Sequence, residues 1–351
     1  MLPFFLDEND VLEENKKPFE KSPISPQSLI GLQFYEGMLI ALDSLTQLGY
    51  RGKVHVYDTG KDVSQLNALL KKPEFKTMDL IIGPLYLSGF NVIANFAKEH
   101  KIPIIAPFVQ QNSIINDNEL VLKSLPSTTT QFEQLAKYIS SYYSGQNVVM
   151  VHKGSMAEKP MASAFANKMK ESGYNVKEII YSSAGISGVN AALSHTKNNI
   201  IVVPSNDQVF ITDLITKLNF SASDKNITLF GTDNWLNFEN IELSYMHKLN
   251  THLPLINFIN YQDESVKHFV AKYREKYATD PTNFVFQGYD VGMFYLGLLD
   301  KHGKEFLKRG NLKQTGLQLN FNQSKIAEGS GYENKSIIIV KYEDFQLKKV
   351  N

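Results

Sequence analysis

The hydrophobic pattern of residues 79–108 sets the frame for the rest of the chain. Leu80, Ile81 and Ile82 form a continuous apolar run that stops at Gly83-Pro84. Phe90, Ile93, Ala94 and Ala97 then recur at helical spacing, and a second run from Ile102 to Ala106 stops at Pro107. Runs this short, apolar on both faces and separated by one amphipathic segment, predict strand–helix–strand. Strands buried on both faces belong to parallel sheets, whose pairing requires a crossover helix. Open α/β sheets bind ligands at the carboxyl ends of their strands. Candidate chemistry is therefore expected just after Ile82 and just after Ala106.

The alternation extends in both directions. Leu2–Leu6 reads as a strand, 7–23 as a long polar surface loop, and Ser25-Pro26 as the capped start of a helix running to Gly49. A strand at Val54–Tyr57 and a helix over about 62–70 complete β-α-β-α-β-α-β with the frame segment. After a strand at Leu120–Leu125 and the turn Pro126-Ser127-Thr128, the pattern restarts. Helices are expected at 130–143, 160–172, near Val189, at 208–218 and at 237–249. Strands are expected at Val148–Val151, Val176–Tyr181, Ile200–Val203 and Ile227–Phe230. Two doubly wound α/β units in tandem is the economical reading. Beyond Leu249 a strand at Leu255–Ile259, helices at 264–277 and 283–301, and short strands at Leu317–Phe321, Ser336–Tyr342 and Phe345–Val350 remain. This material must pack back onto units already complete.

Composition narrows the function. The 351 residues suit two domains of α/β size. Formal net charge is zero, with no basic surplus to hold a phosphate backbone, so nucleic acid is not an expected partner. No apolar run approaches the roughly 20 residues needed to span a bilayer. The chain has no cysteine, which excludes disulfides, thiolate metal sites and thiol nucleophiles and fits cytosol or a Gram-negative periplasm. The opening Met1-Leu2-Pro3-Phe4-Phe5-Leu6 reads as the tail of a buried strand, as expected of a chain cut from a longer precursor, so the absence of a signal peptide carries no weight.

Several features in order and spacing resemble the type I periplasmic binding-protein superfamily, the group of the Leu/Ile/Val-binding proteins of ABC importers. They are Phe34-Tyr35-Glu36-Gly37-Met38 with Ala41, Ile82-Gly83-Pro84-Leu85, and Ile102-Pro103-Ile104-Ile105-Ala106-Pro107. Pro281-Thr282, Gly288-Tyr289-Asp290 and Leu319-Asn320-Phe321 follow. The sequence is most similar to a cell-envelope group in which this domain follows LysM peptidoglycan-binding modules. The resemblance implies two Rossmann-like lobes with a three-crossing hinge near Pro126, Asn260 and Asn322. The lobes are then residues 1–125 with 261–322, and 126–260 with 323–351. A ligand is expected in the cleft between lobes.

In the family's amino-acid binders, small hydroxyl residues after the third and fourth strands hold the ligand carboxylate. The matching positions are Tyr86, Leu87 and Ser88, then Phe108, Val109, Gln110 and Gln111; the hydroxyl after the fourth strand is missing. In the second lobe the matching polar and aromatic positions are Lys153, Asn206, Asp233, Asn234 and Trp235. Trp235, the only tryptophan, either stacks on a ligand or closes the core beneath the following helix. Asp207 precedes a helix directly and reads first as its cap. Pro84 and Pro107 read as turn-shaping.

Catalytic constellations are not read here. His247 and His252, five apart, do not share a helix face. No Gly-x-Ser-x-Gly elbow, His-Glu-x-x-His or phosphate loop occurs, and the pairs Asp7/Glu8 and Glu13/Glu14 read as solvated. The expectation is a non-catalytic extracytoplasmic solute-binding protein, without cofactor or metal, for a small polar molecule such as an amino acid, amine, sugar or muropeptide fragment. A membrane permease or the peptidoglycan machinery are its expected partners. The alternatives are an envelope interaction protein linked to peptidoglycan through LysM modules, and the effector domain of a transcription regulator.

Overall fold

The structure, a computed structural model, describes residues 1–14, 24–60, 62–309, 312–344 and 346–350. Its elements run in chain order as α1 (Leu6–Glu14), α2 (Pro26–Gln47), α3 (Val63–Leu69), β1 (Ile81–Ile82), α4 (Leu87–Glu99), β2 (Ile104–Ala106) and β3 (Val121–Lys123). Then come α5 (Thr128–Tyr142), β4 (Asn147–His152), α6 (Lys159–Glu171), β5 (Lys177–Ile180), α7 (Tyr181–Ala192), β6 (Asn199–Val202), α8 (Gln208–Ser221), β7 (Ile227–Phe230), α9 (Leu243–Lys248) and β8 (His252–Leu255). The chain ends with α10 (Glu264–Tyr277), α11 (Asn283–His302), β9 (Lys313–Thr315), β10 (Asn320–Lys325), β11 (Tyr332–Asn334), β12 (Ile338–Glu343) and β13 (Gln346–Lys349).

The chain divides into two compact units. Met1–Pro126 with Phe258–Lys335 forms the first, and Ser127–Asn257 with Ser336–Asn351 the second. The first unit's sheet has the order β1-β2-β3-β11-β10-β9, parallel from β1 to β11 and antiparallel beyond. Ile81 pairs with Ile104, and Ile104 with Val121, so the apolar runs of the frame segment stack in register. Phe90, Ile93, Ala94 and Ala97 of α4 pack on this sheet in one buried cluster with Ile81, Ile104 and Val121.

On the other side of the unit α2 packs against α11 at backbone distance. A Cβ on Gly37 would stand 2.0 Å from the Val285 carbonyl oxygen, and one on Gly288 2.0 Å from that of Phe34. No side chain fits at either position, which explains both glycines. Asp290, two residues further along α11, is buried and accepts backbone N–H bonds from Leu317, Gln318 and Leu319 at 2.8, 2.7 and 2.8 Å. It ties the loop before β10 to the helix.

The second unit's sheet has the order β13-β12-β8-β7-β6-β4-β5. It is parallel from β8 through β5, and β12 and β13 are antiparallel additions. Val148, Met150, Ile200, Val202 and Phe230 meet Phe132, Leu135, Phe165 and Met169 of α5 and α6 in one core. A buried aromatic of this kind contributes about 1.5–3 kcal/mol.

Several expectations are corrected. The last transition between units falls at Lys335/Ser336, not near Asn322, because β10 and β11 pair with each other and β11 with β3. Leu2–Leu6 is no strand: Leu2 makes a single parallel bridge to Asp58, and α1 begins at Leu6. The expected loop is helical over Leu6–Glu14, and its remainder, 15–23, lies outside the described residues. Val54–Tyr57 is extended but joins no sheet. The strand expected at Leu255–Ile259 is β8, three residues earlier, where it completes the second sheet. The helix near Val189 starts at Tyr181 and is broken at Gly185, which has φ 57°. Of the helix expected over 237–249, only Leu243–Lys248 is α-helical.

Candidate functional site

In the first unit, β1 ends at Ile82 and the chain turns at Gly83, whose φ is 83° and whose Cβ would lie 2.2 Å from the Met1 carbonyl oxygen. Only glycine fits this turn. The chain then enters α4 through Tyr86, an extended residue whose side chain makes no capping bond. The first-turn N–H groups of α4 thus lack a side-chain acceptor, and the positive end of the helix dipole is left open.

Beside it lies a pocket of about 340 Å³, lined among others by Phe5, Thr59, Gly60, Tyr86, Ser88 and Gly89. Leu66 and Val63 of α3 and Pro84 give it apolar walls. Next to the lining residues Phe5, Thr59 and Gly60, Asp58 accepts N–H bonds from Phe4, Phe5, Leu6 and Gly60 at 2.9, 3.2, 2.9 and 3.0 Å. Burial raises the Tyr86 hydroxyl above its ordinary range, so it stays a donor at neutral pH. Three hydroxyl-bearing residues, Tyr86, Ser88 and Thr59, thus line a pocket next to the amino end of α4, a set suited to an anionic oxygen ligand.

Phe108 and Gln110, expected in this set, do not line the pocket. The Phe108 ring packs between Phe34 and Phe284, at 5.5 and 5.7 Å between centroids. The Gln110 carbonyl accepts from Lys123 Nζ at 2.5 Å. Lys123 is buried and also pairs with Glu333 Oε1 at 3.2 Å, while Lys335 meets Glu333 Oε2 at 2.8 Å. Burial pushes the Lys123 ammonium down to about 8. This network pins the segment after β2, and so the Gln110 backbone serves structure.

In the second unit the carboxyl ends of β4, β6 and β7 carry the other expected residues. Lys153 and Asp207 form an exposed ion pair at 2.6 Å. Asp207 also caps α8 through the Phe210 N–H at 3.0 Å, as its position before that helix indicated. The Lys153 hydrogen bond, with this cap, holds the Asp207 carboxyl below its usual range. Asn206 accepts from the Thr232 hydroxyl at 2.6 Å. Asp233 is half-buried and Asn234 exposed; burial raises the Asp233 carboxyl above its ordinary value.

Trp235 is not a platform for ligand. It is buried, its indole N–H donates to the Ser205 carbonyl at 2.9 Å, and its ring lies over Gly231, where a Cβ would come within 2.4 Å. The indole closes the core and ties the turn after β6 to the turn after β7.

Comparison with known proteins now decides the family. The model for periplasmic binding proteins matches residues 25–328. The chain belongs to the periplasmic binding protein family. No curated protein matches the sequence. Among solved structures, the fold is similar to a protein of Rhodospirillum rubrum assigned as a branched-chain amino acid ABC transporter. Identity is 14%, coverage 93% of this chain and 96% of that one, and TM-score 0.68. A substrate-binding protein of an ABC transporter from Desulfitobacterium hafniense, in complex with Leu, has 14% identity, coverage of 90% and 95% and TM-score 0.55. Haemophilus influenzae LpoA has 12% identity and TM-score 0.61 over 93% of this chain and 56% of that one.

Of the residues expected from the family resemblance, Tyr86 and Ser88 line this pocket; Phe5, Thr59 and Gly60, which line it too, are not among those expected. Among the described residues, no three His, Asp or Glu side chains are placed to hold a metal ion.

Proposed function

We propose that this periplasmic binding protein captures, outside the cytoplasm, a small solute that carries a carboxylate, and hands it to a membrane permease. The observation that carries the reading is the pocket at the end of β1, lined by Ser88, Thr59 and Tyr86 next to the amino end of α4, which has no side-chain cap. Phe5, Val63 and Leu66 offer an apolar wall for the rest of such a molecule. The Desulfitobacterium hafniense relative, bound to Leu, supports a ligand of this class. Capture rather than turnover is the role, since the recognition set is built of dipoles and hydroxyls without a paired base.

Isothermal titration with the common L-amino acids and with 4-methylpentanoate tests it. At least one carboxylate should bind, and Ser88→Ala and Thr59→Val should each weaken it by roughly tenfold, the equivalent of one or two lost hydrogen bonds.

A further inference from the structure

Two helices open onto the solute pocket. Besides Ser88 and Gly89 of α4, its lining includes Gln27, the second residue of α2. Ser25, at the start of α2, makes no side-chain capping bond, and neither does Tyr86 at the start of α4. Pro26 has no N–H, so Gln27 carries the first donor of α2. Among the described residues, the N–H groups of Gln27, Ser88 and Gly89 meet no acceptor. Elsewhere Ser127, Asp207 and Asp263 close α5, α8 and α10 with a side-chain acceptor.

Both helix starts are held in place. The Asn9 side chain accepts from the Ser25 N–H at 3.0 Å and donates to the Ser28 hydroxyl at 3.1 Å and the Phe4 carbonyl at 3.0 Å. A Cβ on Gly89 would stand 2.7 Å from Leu66 Cδ1, so the first turn of α4 is bare backbone packed against the apolar wall. Thr59 adds an observation of a different kind. It lines the pocket, is only 5% exposed, and its hydroxyl has no partner among the described residues. Buried polar groups are as a rule hydrogen-bonded, so this hydroxyl marks a place for a ligand atom. Both carboxylate oxygens of the neighbouring Asp58 are already taken by the N–H groups of Phe4, Phe5, Leu6 and Gly60.

An open helix start presents about half a positive charge together with free N–H groups, and it favours an anion. Two such starts on one cavity call for negative charge at two places. We propose, building on the carboxylate reading above, that the solute is an aliphatic dicarboxylate. One carboxylate meets α4 at Ser88 and Gly89, the other meets α2 at Gln27, and the carbon chain between them lies on Val63 and Leu66. The Thr59 hydroxyl donates to one of the four carboxylate oxygens. Recognition then rests on backbone dipoles and hydroxyls, which need no rearrangement to receive the anion.

Calorimetry on matched pairs tests this: succinate with butanoate, glutarate with pentanoate, and adipate with hexanoate. At least one diacid should bind about tenfold or more tighter than its monoacid, the gain of one further charge-assisted contact. Gln27→Glu then separates the two ends. It places a carboxylate at the start of α2, so Tm should hold or rise. Diacid affinity should fall by about tenfold, while the monoacid, held at α4, should change by less than about twofold. Should Gln27→Glu lower Tm instead, Ser25→Asp, which gives α2 a side-chain cap, should weaken the diacid alone in the same way. Monoacids that bind as tightly as their diacids would overturn the inference and leave the carboxylate reading standing. Variants that weaken diacid and monoacid alike, or neither, would overturn it too. A protein that binds no carboxylate of either kind would remove both.

Discussion

The carboxyl edges of the two sheets are built from different materials. In the first unit Tyr86, Ser88 and Thr59 line a pocket beside the amino end of α4, which Tyr86 does not cap with its side chain. In the second unit the edge is made of charged and amide side chains already engaged with each other: Lys153 with Asp207, and Asn206 with Thr232. Fixed dipoles meet an incoming anion without losing a partner. An ion pair must be broken or shared before it can contact solute. The first edge is therefore preorganised by its backbone, and the second can be altered one side chain at a time.

That difference can be broken at the backbone anchor. Asp58→Ala leaves four N–H donors of Phe4, Phe5, Leu6 and Gly60 without their acceptor. The expected cost is about 3 kcal/mol or more, read by denaturant unfolding, with loss of solute binding. The hydroxyl of Ser88 or Thr59, by contrast, can be removed without unfolding.

The second unit has a pH dependence of its own. Burial lowers His252 from its ordinary 6.5 to about 4. Its Nδ1 donates to the Asn250 carbonyl at 2.7 Å, and Nε2 faces the Tyr143 hydroxyl at 3.4 Å. Because the folded value lies below the unfolded one, the unfolded chain takes up the proton first as pH falls. Stability is thus full above pH 6.5 and declines between about 6.5 and 4, by about 3 kcal/mol for 2.5 units. His252→Asn should flatten that part of the profile in urea titrations at stepped pH.

A smaller effect is expected of Trp235→Phe, which removes the N–H bond to Ser205 and part of the ring over Gly231. Stability should fall by about 2 kcal/mol while solute affinity holds, as befits a core residue. Smallest is Lys153→Ala: an exposed pair contributes little to stability, so Tm should barely move.

Much of this was legible in the chain. The runs at Ile104–Ala106 and Ile200–Val202 are apolar on both faces, as strands inside a parallel sheet are. Helices α10 and α11 were bounded by Asp280-Pro281 and appear where expected. Val54–Tyr57 carries β-branched residues but joins no sheet: Val54 and Val56 are exposed, and only the Tyr57 carbonyl takes a backbone bond, from Leu2. The start of α7 was hidden by Ser, Gly and Ala, which bury little and give no helical stripe. At the sites, the strand-end rule located Tyr86 and Ser88 in the pocket. It could not locate the Lys153–Asp207 pair, 54 positions apart in the chain, nor tell that Trp235 Nε1 was already bonded to Ser205.

The account rests on recognition of a carboxylate in the first unit, and one titration addresses it directly. The solute that binds best in the amino-acid and aliphatic-acid series is compared with its own carboxamide by calorimetry, on the parent protein and on Ser88→Ala. The account predicts that the carboxamide binds at least about tenfold more weakly than the acid, and that Ser88→Ala narrows the gap. Equal affinity for acid and amide, unaffected by Ser88→Ala, would contradict it.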